Sequence, residues 1–177
     1  MSNQVILWSM IILPWFTLFL MRKDDIKRFM PVGLFAALSS ILLVEAGQTL
    51  GWFAYGETAY PFRSPAYIFG LNIIVTMWIF YFTYGRFWTY IAIDTALNFG
   101  FIYLFHVYYL GSKGIFREVG ITPLENVIIA TIHGVITYGY QVWQEGGLKQ
   151  TKENRAHLQP VLAKILPKTQ SSPRDDD

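Results

Sequence analysis

Five apolar blocks follow one another along this chain of 177 residues, each close to the ~20 residues that a helix needs to cross a bilayer. They occupy residues 5–21, 29–50, 66–84, 88–110 and 124–143. A single small soluble core could not bury that much contiguous apolar surface, so lipid has to cover it. The chain is 53% hydrophobic, 18% aromatic and 15% charged, whereas a soluble domain is about one quarter charged. Backbone polar groups inside lipid must be satisfied within the segment that carries them. The expected fold class is therefore all-α: a polytopic membrane protein built as a bundle of five transmembrane helices.

The ends of the blocks support this division. Nothing basic precedes residues 5–21, while Arg22, Lys23, Lys27 and Arg28 follow them. A secretory signal peptide has the opposite charge order, so the block reads as a retained span. The second block carries Pro31 in its first turn, where a missing N–H is harmless, and ends at Gly51. Residues 52–63 are rich in aromatics and include Gly56 and Pro61, the pattern of an interfacial loop. Gly85 and Arg86 form a connection so short that the third and fourth helices must be antiparallel neighbours. A second loop, residues 111–122, leads to Pro123 and the last block.

Orientation follows from the basic residues, because cytoplasmic segments carry the excess of Lys and Arg. With five spans, eleven of the fourteen lie on the side of the 22–28 loop, Arg86 and the tail, and only Arg63, Lys113 and Arg117 on the other. The N-terminus is thus expected outside and the C-terminus in the cytoplasm. Trp52, Tyr55, Tyr60, Tyr108 and Tyr109 would mark the outer interface, and Tyr84, Trp88, Tyr90, Tyr140 and Trp143 the inner one. Gly33, Ala37 and Ser40, and likewise Ala130 and Gly134, recur at helical spacing, which suggests that the second and fifth helices pack closely inside the bundle. Five spans do not divide into two inverted halves, which argues against a monomeric secondary transporter.

Composition turns polar at Gly146 and Gly147, which separates a transmembrane domain, residues 1–145, from a cytoplasmic tail, residues 146–177. Leu158, Val161, Leu162, Ile165 and Leu166 have the spacing of an amphipathic helix, flanked by Pro160 and Pro167. A short helix on the membrane surface and a mostly disordered tail are both consistent with this stretch. Residues 171–177 should be disordered.

Several chemistries are excluded by residue type. The chain has no cysteine, which removes thiol catalysis, thiolate metal sites and disulfides. No His-Glu-x-x-His pair, phosphate loop or Gly-x-Ser-x-Gly elbow occurs, and no serine sits in a Gly-flanked nucleophile setting. A net charge of +2, with the basic residues confined to block ends, implies no nucleic-acid partner. Haem held between His106 and His133 would need the two at equal depth, yet they differ by roughly 10 Å at 1.5 Å per residue. No enzyme activity or cofactor is indicated, and the partners expected are the lipid bilayer, a small ligand or ion, and a second copy or another membrane protein.

The polar residues within the blocks are the candidates for function: Glu45, Asn72, Asp94, Asn98, His106, Glu125 and His133. Once the topology is assigned, Glu45, His106 and Glu125 fall within about five residues of the outer ends of their helices, a common layer that also takes in Gln48 and Asn126. Converging there, they could bind a proton or a divalent cation, with carboxylate oxygens and one imidazole nitrogen as ligands. His133 could carry the path inward to Asn98 and Asp94, which lie one helical turn apart and have Asn72 as the expected partner. Under the competing reading these groups are interhelical hydrogen bonds in a protein of membrane assembly or signalling.

Three stretches carry a resemblance: Lys27-Arg28-Phe29-Met30-Pro31-Val32, Glu45 ahead of Leu50-Gly51-Trp52, and Trp78-Ile79-Phe80-Tyr81-Phe82-Thr83-Tyr84-Gly85. In these the chain resembles an uncharacterised family of small multi-pass membrane proteins from spore-forming Gram-positive bacteria, over residues 27–145. The resemblance implies a bacterial plasma membrane and supplies no activity, cofactor or catalytic residue.

Overall fold

The computed structural model describes the backbone of residues 2–165 and the side chains of residues 2–147. Two compact units are present, residues 1–141 and 142–177. Among the described residues five α-helices overlap the five apolar blocks, with ends that differ from them: α1 (Asn3–Phe16), α2 (Lys23–Thr49), α3 (Leu71–Thr83), α4 (Phe87–Gly100) and α5 (Pro123–Ile165). Short 3₁₀ turns extend α1 over Thr17–Leu20 and precede α3 at Ala66–Phe69. Among the described residues, three helical stretches are long and apolar enough to cross a membrane: Asn3–Leu20, Lys23–Thr49 and Phe87–Leu110. α3 is apolar but has only 13 residues, about 20 Å of helix against a hydrocarbon core of ~30 Å.

The helix α5 runs through Gly146 and Gly147 instead of ending there. Two helical glycines cost about 1 kcal/mol each relative to alanine, which weakens a helix without prohibiting it. The facing of Leu158 and its apolar companions, and the state of residues 166–177, lie outside the described residues.

Small residues set the closest helix approaches. A Cβ at Gly33 of α2 would meet Ile73 and Met77 of α3 at 3.1 Å, and Phe29 stacks on Phe80 beside that contact. α5 meets α2 through the parallel rings of Phe35 and Tyr140, 4.1 Å apart, and meets α4 at Gly134, whose carbonyl accepts a hydrogen bond from the buried Tyr90 hydroxyl at 3.1 Å. Tyr90, expected in the inner aromatic belt, is 2% exposed and belongs to the core. Trp88 and Trp143, by contrast, are 81% and 74% exposed.

Two loops combine into an element absent from the sequence expectation. β1 (Phe53–Tyr55) pairs antiparallel with β2 (Phe116–Glu118), with Tyr55 directly opposite Phe116. Neither three-residue strand has enough length to declare itself by alternation, and their pairing joins residues far apart in the chain, such as Tyr55 and Phe116. The start of α1 is tied to the same end of the molecule. Asn3 donates to a Glu57 carboxylate oxygen at 2.7 Å and to the Lys113 carbonyl at 3.3 Å. Gln4 donates to the other Glu57 oxygen at 2.7 Å and to the Thr58 carbonyl at 3.0 Å.

Beyond Gly100, α4 continues as a π-helix over Phe101–Leu110. Its hydrogen bonds reach five residues back instead of four, so residues five apart come to lie one above the other. In an α-helix such residues would be about 140° apart around the axis. The change of period brings Phe101 over His106, with ring centroids 4.5 Å apart.

Candidate functional site

A cavity of 490 Å³ lies inside the first unit, bounded by α2, α3, α4 with its π extension, α5 and the strand β1. The size falls within the ~300–1,000 Å³ of small-molecule sites. Val44, Leu71, Val75, Ile79 and Ile129 give it apolar walls. Asn72, Asp94, Asn98, His106 and His133 also line it, so five of the seven residues singled out in the sequence border one space.

The other two do not. Glu45 points away from the bundle on the exposed face of α2. Glu125 is exposed as well and caps α5: one carboxylate oxygen accepts from the Thr122 backbone N–H at 2.7 Å and from the Thr122 hydroxyl at 2.9 Å. The Glu125 backbone N–H donates in turn to the Thr122 hydroxyl at 3.3 Å. Thr122-Pro123-Leu124-Glu125 is therefore a capping box with proline at the first helical position. That pattern was present in the sequence and explains Glu125 without any ligand. The expected layer of Glu45, His106 and Glu125 does not assemble, because equal depth says nothing about which way a side chain faces. Among the described residues, no group of three His, Asp or Glu side chains is placed to hold a metal ion.

His106 is 4% exposed and enclosed by rings. Phe116 stacks on it at 4.5 Å, Tyr67 meets it edge-on at 5.0 Å and Tyr55 at 6.2 Å. Because Tyr55 and Phe116 are register partners in the strand pair, that pair delivers both rings to the imidazole. Both ring nitrogens are buried with no hydrogen-bond partner. Tyr55 lies 3.3 Å from the Tyr67 hydroxyl. Burial, with Tyr67 alongside, pushes the Tyr55 phenol well above its usual pKa, so it acts as a neutral hydrogen-bonding group.

The remaining polar groups divide into satisfied and available. His133 Nε2 lies 2.7 Å from the Ser39 hydroxyl, and Asn72 donates to the Ser40 hydroxyl at 2.8 Å, each linking two helices. Asn72 thus pairs with α2 and not with Asp94 or Asn98. Asp94 accepts from Asn98 on its own helix at 2.9 Å. Its carboxylate lies against Gly134 of α5, where a Cβ would collide with it. Asp94 is the sole carboxylate lining the cavity, and no Lys or Arg lines it among the described residues.

Ser39, Ser40, Tyr55 and Tyr67 were not singled out as site residues in the sequence. Adjacent hydroxyls at Ser39 and Ser40, inside an apolar block, were the available signal for the first two. For the tyrosines there was none, since their role depends on the strand pair and on the π-helix.

No family model matches the chain, and neither a curated protein nor a solved structure matches it significantly.

Proposed function

We propose that this chain is a multi-pass membrane protein of five spans, with its N-terminus outside and its C-terminus in the cytoplasm, that binds a small organic molecule in the cavity between its helices. The observation that carries the reading is a 490 Å³ space with mostly apolar walls into which a carboxylate and several amide, hydroxyl and imidazole groups converge. The apolar outer surface supports a lipid environment: Leu38, Leu42, Leu104 and Ile132 are all more than half exposed. The skewed distribution of Lys and Arg supports the orientation. The tie between the start of α1 and the 53–63 and 111–118 loops fits helices that run alternately up and down, with these three segments on one side. α3, lengthened by its preceding 3₁₀ turn of four residues at ~2 Å each, would come close to spanning the core. A bacterial plasma membrane is the location that the family resemblance implies.

A non-catalytic assembly or signalling protein is the second reading. It is favoured by Ser39–His133 and Asn72–Ser40, which are complete interhelical bonds that need no ligand. The two readings separate on a cavity-filling variant. Protein purified in nanodiscs, extracted with solvent and analysed by mass spectrometry should release a small molecule from the wild type. That molecule should be absent from a folded, equally helical Ala130→Phe protein, in which a ring replaces a methyl group on the cavity wall. Identical extracts from both would refute the binding reading.

A further inference from the structure

We infer that the ligand is an organic cation, with its charged head at Asp94 and its apolar body extending toward the aromatic rings around His106; the inference rests on the binding reading above. Charge is the first argument. Among the described residues the lining holds one carboxylate and no Lys or Arg, so an anion would meet repulsion with nothing to offset it, and a cation would meet its counterion in a site of low dielectric. A cationic head beside Asp94 would also stabilise the ionised carboxyl, which is costly to bury alone.

The second argument is local geometry. Asn98 holds one oxygen of Asp94 at 2.9 Å, which orients the carboxylate. Gly134, with no side chain, leaves room for it between α4 and α5. Gly134 already has its carbonyl occupied by the Tyr90 hydroxyl, so the backbone there does not compete for the ligand.

The third argument separates an organic from an inorganic cation. Ca²⁺ and Mg²⁺ need roughly six oxygen ligands and Zn²⁺ about four nitrogen or oxygen ligands, and here one carboxylate is joined by a single amide on the same helix. The rest of the space is walled by Val44, Leu71, Val75 and Ile79 and by the rings of Tyr67 and Phe101, suited to an apolar body. Asp94 and His106 are twelve residues apart on one continuous helical stretch, roughly 15–18 Å along the axis. An elongated amphiphile, charged at one end, matches this division.

Three probes that share one phenylbutyl tail test the inference: phenylbutylamine, phenylbutanol and phenylpentanoate, titrated at neutral pH into full-length protein in nanodiscs, with empty nanodiscs as the baseline. Saturable binding of the amine is expected, with the alcohol and the carboxylate at least about tenfold weaker, a difference of 1.4 kcal/mol. Asp94→Asn, which keeps the shape and can still bond Asn98, should lower the affinity for the amine by a similar factor, and Ala130→Phe should abolish it. An amine that binds no tighter than the alcohol, or that is indifferent to Asp94→Asn, overturns the cation inference. If the alcohol still binds and Ala130→Phe blocks it, the cavity reading survives that failure. Absence of saturable binding by all three probes overturns both. Should Asp94→Asn fail to fold, the ranking of the probes on the wild type decides by itself.

Discussion

Two glycines of α5 offer a matched pair for testing the α4–α5 contact. A Cβ at Gly134 would collide with the Asp94 carboxylate and lie 2.9 Å from its Cγ, whereas a Cβ at Gly139 would meet nothing within 4 Å. Both substitutions by alanine remove the same backbone freedom from the same helix, a gain of about 1 kcal/mol in water that is common to the two. Their difference therefore isolates the collision, which at the cost of overpacking amounts to ~1–3 kcal/mol. At about 2–4 °C per kcal/mol for a chain of this size, Gly134→Ala should melt ~2–12 °C below Gly139→Ala. Thermal unfolding followed by circular dichroism in a mild detergent measures this. In an Asp94→Ala background the colliding atoms are gone and the gap should close. Equal melting temperatures in the parent, or a gap that persists without the Asp94 carboxylate, would show that these residues do not touch.

Further outcomes follow from other parts of the chain. A reporter inserted near Glu57 should be external and one fused after Glu145 cytoplasmic, and finding both on one side of the membrane would refute the five-span topology. Thr122→Ala removes the hydroxyl side of the capping box, leaving the backbone N–H of residue 122 bonded to Glu125, and should cost about 0.5–2 kcal/mol, visible as faster amide exchange at the start of α5; unchanged exchange there would mean that the hydroxyl does not cap the helix. His106→Phe places an apolar ring of similar size where two nitrogens lack partners. Stability should hold or rise by up to ~1–3 kcal/mol, and a clear loss would indicate that the imidazole has a partner after all.

The sequence by itself determined that the chain is helical and where its helices lie, because an apolar block of about twenty residues has few ways to satisfy its backbone in lipid. It also exposed the close approaches at Gly33 and Gly134, since small residues at helical spacing are a local property of one helix surface. The polar residues of α4 were legible for the same reason: Asp94 and Asn98 lie one turn apart and bond each other. What failed was the inference from depth to contact. Glu45 and Glu125 face away from the cavity, one on the outer face of α2 and the other in its own helix cap. Only the tertiary structure decided the surroundings of His106. Its position depends on a π-helix that changes the angular period of α4, and on two three-residue strands that bring Tyr55 and Phe116 together from distant loops. Periodicity read along one segment records which residues share a face, whereas a cavity is defined by which faces meet, and that is settled by pairing between segments far apart in the chain.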